Sequence, residues 1–256
     1  MSLVISKIEH AAESTHWYTK DGIPAYEVTG SNGKLRPTTL RDAKKHGYIP
    51  SVTTIIKAAA SPGLENWKLE QMLLAALTLP KSDGESEKDY IDRIRKDSRE
   101  TGRQAAERGT AVHAAIEGFY GGHGIKDYPE HVRGLENALN DAMGVQEWLA
   151  EKAFASTMGF GGKVDLCCAA AVVDVKTKEI SPDDPAPIYD EHVMQLAAYR
   201  VGLRIPNARC FNAFVSVSHP GFVRLVEWKE EDLKRGWEMF LGLLNYWYAK
   251  SRLNRG

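Results

Sequence analysis

The chain has 256 residues, with 33 Lys and Arg against 34 Asp and Glu, and 43% hydrophobic residues. That balance is ordinary for a globular protein and excludes a disordered or fibrous chain; no apolar run approaches the roughly 18 residues that span a membrane. A net charge of −1 excludes a uniformly basic nucleic-acid binder but leaves room for a local basic groove.

The N-terminal stretch "MSLVISKIEHAAESTHW" turns polar too soon for a secretion signal. Cys167, Cys168 and Cys210 give neither a disulfide framework nor a zinc spacing, so a reducing cytoplasm is the expected compartment. Residues 1–50 are turn-rich ("DGIPAYEV", "GSNGKLRP") and read as an extension of short strands and loops. Ser51 can cap a helix that runs through Ile55 and Ile56. From "SPGLENWKLEQMLLAALTLP" onward the spacing is helical, with Pro62 near the start and Pro80 at the stop. A loop then leads into one long helix, or two abutting ones, ending at Gly121-Gly122. Another helix follows in "YPEHVRGLENALNDAM". The helical stretch from about 62 to 145 reads as an insertion in a single domain over 51–256.

The texture then changes. "VQEWLAEKAFASTMGFGGKVDLCCAAAVVDVKTKE" carries alternating and continuous β-type runs and predicts three strands. A Pro-rich loop over 180–187 precedes an amphipathic helix, "YDEHVMQLAAYRVGL". "ARCFNAFVSVSHPGFVRLVEW" predicts two strands around His219-Pro220-Gly221, and "KEEDLKRGWEMFLGLLNYWYAKSRL" a closing helix. The central order is helix, three strands, helix, strand.

Asp174 and Lys176 are two apart on a strand and therefore share a face. If the preceding hairpin turns on Ala169-Ala170, Asp165 stands opposite Asp174. Opposed carboxylates on antiparallel strands repel, so a divalent cation between them or a raised pKa on one must compensate. Ala-Ala is not a favoured two-residue turn, and a longer turn would stagger the pair. Taken alone, the motif also suits a surface hairpin whose acids face water. Gly161-Gly162 allows a close approach just before Asp165. "GFGGKV" is not a phosphate loop, because Val164 stands where Ser or Thr would follow the lysine.

Taken together, "GGKVDL", "VVDVKT" and "QLAAY", with "RGTAVHAAIEGF", "EKAF" and "PSVTTII" upstream, resemble the PD-(D/E)xK nuclease superfamily in its RecB-like branch, including phage-type exonucleases and the mitochondrial genome maintenance exonuclease. The likeness runs from about residue 50 to 200. It implies an α+β (mixed α/β) fold of restriction-endonuclease type, an α-β-β-β-α-β mixed sheet flanked by helices. Carried over, Asp165 and Asp174 are metal-binding carboxylates, Val175 a ligand through its carbonyl, His113 a further ligand and Lys176 the catalytic lysine. Gln195 and Tyr199 are the Gln-x-x-x-Tyr pair beside the site. Glu151 stands as a second-metal or supporting acid, and Glu117 either as another or as a solvent-facing residue. The implied cofactor is Mg²⁺ or Mn²⁺. Three cysteines, two of them adjacent, do not suit the four-cysteine iron–sulfur cluster of some relatives, and with no Walker motif a free-standing nuclease is expected.

The implied activity is DNA exonuclease chemistry in phage-type replication, recombination or end processing, inside a bacterial host cell. A structure-specific endonuclease or a catalytically silent DNA-binding protein would share the core. DNA is the expected partner, with a recombination or single-strand-binding protein and a second copy of the chain as further candidates; no membrane contact is expected. Arg95, Arg99 and Arg103, four apart, and Arg108 form a stripe that could track a phosphate backbone or simply face solvent. The aromatic "NYWYAK" reads as core or an oligomer contact rather than a base-stacking platform.

Overall fold

The computed structural model describes residues 16–59 and 62–255. The N-terminal stretch read as no secretion signal and the first part of the 1–50 extension, residues 1–15, lie outside the described residues. The described residues form, in chain order, β1 (Trp17–Tyr18), β2 (Glu27–Thr29), β3 (Leu35–Pro37), α1 (Leu40–His46), β4 (Ile49–Pro50), α2 (Val52–Ile56), α3 (Pro62–Thr78), α4 (Glu87–Gly118), a short π-helical turn (Phe119–His123), α5 (Pro129–Met143), β5 (Leu149–Ser156), β6 (Phe160–Cys167), β7 (Ala171–Lys178), α6 (Asp190–Gly202), β8 (Arg209–Ser216), β9 (Val223–Glu227) and α7 (Glu230–Ser251). No described helix is long and apolar enough to cross a membrane.

The element order read from the sequence is the order observed, with one correction. Residues 1–50 are not only strands and loops, because α1 lies among them. Its signals are local: Thr39 accepts from the Asp42 backbone N–H, the Asp42 carboxylate accepts from the Thr39 N–H, and Gly47 closes the helix at φ 70°. Ser51 caps α2 as expected, accepting from the Thr54 N–H at 3.0 Å.

The main sheet has the order β5-β6-β7-β8-β9. β7 and β8 are parallel and the other neighbours antiparallel. Successive side chains on a strand point to opposite faces, and the two faces bury different cores. Val173 and Val175 pack with Val112 and Ile116 of α4 and Leu135 of α5. Val172 packs on the other side with Leu196 of α6 and Phe240 of α7. Asp174 and Lys176, in phase with Val172, therefore face α6.

The hairpin between β6 and β7 turns on Ala169-Ala170, the Cys168 N–H donating to the Ala171 carbonyl at 2.9 Å. Its register pairs Cys167 with Val172 and Leu166 with Val173, which aligns Asp165 with Asp174. The ladder stops there. On its other edge β6 pairs Ala150 with Leu166 and Lys152 with Val164 but skips Glu151 and Asp165. Val164 and Leu166, two apart, lie in different cores, so the strand turns over at Asp165. Glu151 opposite it has φ 54°, a left-handed conformation that strains a non-glycine residue.

Two glycines let α6 and β5 close on this region. A Cβ on Gly162 would meet Phe154 at 2.7 Å and Tyr199 at 2.9 Å, and one on Gly202 would meet the Phe154 ring at 2.0 Å. Gly202→Ala is expected to lower the unfolding free energy by about 1–3 kcal/mol through overpacking. Urea denaturation should show the loss, and Gly202→Ala combined with Phe154→Ala should lose less than the sum of the single variants. Additive losses would contradict a steric clash with this ring.

Candidate active site

Asp174 is 1% exposed. A buried carboxylate must be matched by donors or a cation, and it is met from three elements. Lys176 Nζ donates to Oδ1 at 2.7 Å, Gln195 Nε2 of α6 donates to the same oxygen at 2.7 Å, and Asn212 Nδ2 of β8 donates to Oδ2 at 2.7 Å. Asn212 in turn accepts from the Trp228 indole N–H at 2.7 Å. Gln195 links outward as well: its Oε1 accepts from Lys176 Nζ at 3.3 Å and its Nε2 donates to Tyr199 Oη at 2.9 Å. Asp165 uses Oδ2 to accept from the Val175 N–H at 2.7 Å, next to the point where the hairpin ladder ends.

Burial presses the Asp174 carboxyl above the ordinary carboxylate range and Asp165 adds to this, while Lys176 pulls it down. Three donors face its oxygens, the surroundings that suit a carboxylate rather than an acid. Burial alone would lower Lys176, but Asp174 and Asp165 together hold it above its ordinary value. The lysine is thus an ammonium. Burial, reinforced by the two aspartates, raises the Tyr199 phenol well above its usual value. It too stays protonated.

His192, which the sequence reading passed over, lies one turn before Gln195 and is 6% exposed. Burial, then Lys176, draws its imidazole down to about 4 against the pull of Asp174. Its Nδ1 accepts from the Tyr189 N–H at 3.3 Å, so the remaining proton is on Nε2. Tyr18 of β1 also reaches this region. It packs where a Gly161 Cβ would be, 2.7 Å from its ring, and its hydroxyl is 2.6 Å from that of Tyr26.

Asp165, Asp174, Lys176, Gln195 and Tyr199, named from the sequence, come together. Val175, also named, is tied to Asp165 through its backbone N–H. α4 packs on the Val173–Val175 face, where Gly109 abuts Thr177, and half-buried His113 follows one turn later. Among the described residues no three His, Cys, Asp or Glu side chains are drawn together as a group that could hold a metal ion. Glu117 is exposed. Glu151 is ion-paired with Lys163. Arg95 pairs with Asp92 at 3.6 Å, Arg103 with Glu100 and Glu107, and Arg108 with Glu179 at 2.9 Å. Arg99 has no ion pair among the described residues. With Asp92, Arg95, Lys96, Glu100 and Arg103 it lines an open surface groove of about 420 Å³. Tyr248 and Trp247 of "NYWYAK" belong to the core.

No family model matches this chain, and no curated protein does. Among solved structures, a protein from Eubacterium rectale named as an exonuclease aligns with a TM-score of 0.36 and 16% identity, over 54% of this chain and 68% of its own. An alkaline exonuclease from Laribacter hongkongensis aligns with a TM-score of 0.31 and 14% identity, over 73% of this chain and 98% of its own. Likenesses this loose carry no argument, and the chemistry rests on the side chains.

The donors suit one hard cation. Asp165 and Asp174 are like-charged oxygen donors at the open end of one hairpin, and Asp165 Oδ1 has no hydrogen-bond partner among the described residues. Mg²⁺ keeps several waters and is commonly held by one or two carboxylates plus substrate phosphate.

Lys176→Met would leave Asp174 buried beside Asp165 without its cation. Removing one partner of a buried pair costs about 3–5 kcal/mol. In the variant the folded-state pKa of Asp174 lies further above its unfolded value. Stability is then kept where Asp174 is protonated and lost as pH rises through the raised pKa. Urea unfolding at about pH 5 and about pH 8 should show the larger gap from wild type at the higher pH; equal gaps would contradict the assignment of this pair.

Proposed function

We propose that the protein is a divalent-metal-dependent DNA nuclease on a PD-(D/E)xK core, acting as an exonuclease. The observation that supports this most is the buried Asp174 carrying Lys176 and Gln195, with Asp165 across the opened hairpin. A phosphodiester is anionic and repels nucleophiles, so cleavage needs positive charge at its oxygens and a positioned water. Asp165 and Asp174, with the Val175 carbonyl, would hold the cation, which would supply charge neutralisation at the phosphate and acidify water.

The chain's own groups do the rest. Lys176 is a cation and therefore no base; its ammonium orients the attacking water and stabilises charge growing on the phosphoryl oxygens. Gln195 fixes Lys176 and Asp174 relative to each other through opposite ends of one amide. Tyr199 locks that amide from behind. The groove on α4 offers DNA a further contact, where Arg99 is ready to meet a phosphate and Arg95 and Arg103 can exchange weak surface pairs for one. The preference for chain ends follows the sequence resemblance.

With Mg²⁺ or Mn²⁺ the purified protein is expected to degrade linear DNA and to spare covalently closed circles. Asp174→Ala should abolish cleavage, and Lys176→Ala should lower kcat by about 10²–10³-fold. A circle cut as fast as linear DNA would leave an endonuclease; a wild type inert on both would end the nuclease reading. Arg99→Ala should weaken DNA binding evenly across sequences and reduce the log–log salt slope by about 1. An unchanged slope would take α4 out of the DNA path.

A further inference from the structure

Asp174 is held from a side that Lys176 and Gln195 do not reach. The parallel ladder pairs Asp174 of β7 directly with Asn212 of β8, so sheet register brings the two side chains together on one face. Asn212 is 0% exposed and spends its amide on two contacts: Nδ2 donates to Asp174 Oδ2 at 2.7 Å, and Oδ1 accepts from Trp228 Nε1 at 2.7 Å. Trp228 is itself anchored, its backbone N–H donating to the Cys210 carbonyl at 3.0 Å.

The chemistry of these groups fixes a direction. An indole N–H can only donate. It selects the carbonyl end of the Asn212 amide and leaves the NH₂ end for Asp174. Without it the amide can turn over, and its carbonyl would then face a carboxylate oxygen, acceptor against acceptor. Trp228 thus decides how Asp174 is held although it does not touch it.

We propose that Trp228 and Asn212 are positioning residues: the indole locks the amide, and the amide sets the plane in which Asp174 presents its carboxylate to a cation. This rests on the reading of Asp174 as a cation ligand. Partners that orient a metal ligand from behind typically matter by about 10–100-fold in metal affinity or activity.

Trp228→Phe isolates the claim, because it keeps an aromatic ring and removes the N–H. Trp228 is half-buried, in the wall of an open cavity of about 420 Å³, so the change leaves the packing of the sheet intact. The readouts are Mn²⁺ affinity by calorimetry without DNA and steady-state cleavage of linear DNA. Mn²⁺ affinity is expected to fall about 10-fold or more, and kcat about 10–100-fold, with KM for DNA unchanged. Asn212→Leu, similar in volume and without a donor, should weaken Mn²⁺ binding likewise and serves if Trp228→Phe does not fold. Wild-type Mn²⁺ affinity in a folded variant would overturn the relay. A wild type that binds Mn²⁺ but cuts no DNA would defeat the nuclease reading alone, and the relay would stand or fall on the Mn²⁺ affinities. If wild type neither binds Mn²⁺ nor cuts DNA, both fall.

Discussion

One carboxylate with almost no access to water organises this structure. An unpaired charge in Asp174's place would be among the most unfavourable groups a fold could bury. Lys176 comes from the same strand, Asn212 from its parallel neighbour and Gln195 from the helix lying over both. Each donor requires a different feature of the architecture: the pleat, the β7–β8 register, and the placement of α6. Lose any one and the carboxylate is short of a partner.

Around it the sheet is deliberately irregular. The β6–β7 ladder closes at Leu166 and Val173 and opens beside Asp165, while β6 turns over against the left-handed Glu151. A regular hairpin would set Asp165 and Asp174 face to face as a repelling pair. The opening instead lets Asp165 take the Val175 N–H that the interrupted ladder leaves unpaired and keeps one of its oxygens available. Gly162 and Gly202 serve the same end, since only their missing Cβ atoms let Phe154 and Tyr199 close against the sheet.

Much of this could be read in the chain, because the signals were local. The Asp-x-Lys spacing, the turn on Ala169-Ala170 and the Gln-x-x-x-Tyr spacing each concern residues within a few positions of one another, where pleat and helix geometry decide the outcome. Asn212 could not be found that way. Its partner lies 38 positions away, and the contact exists only because the connection through α6 sets β8 parallel to β7. A lone amide in the apolar run "CFNAFVSV" was a signal, but one without an address. His192 was hidden similarly, inside a helix read for its Gln and Tyr. The helix α1 was missed although its capping box and closing glycine were plain in "TTLRDAKKHG".

The central claim is that the opened hairpin is a cation site for phosphodiester hydrolysis. A crystal soaked in Mn²⁺ and measured for anomalous scattering tests it most directly. The expected result is a peak coordinated by both Asp165 and Asp174, with Lys176 Nζ displaced from the Asp174 oxygen it now contacts. A peak elsewhere, or none at these two carboxylates in crystals that take up Mn²⁺, would contradict it.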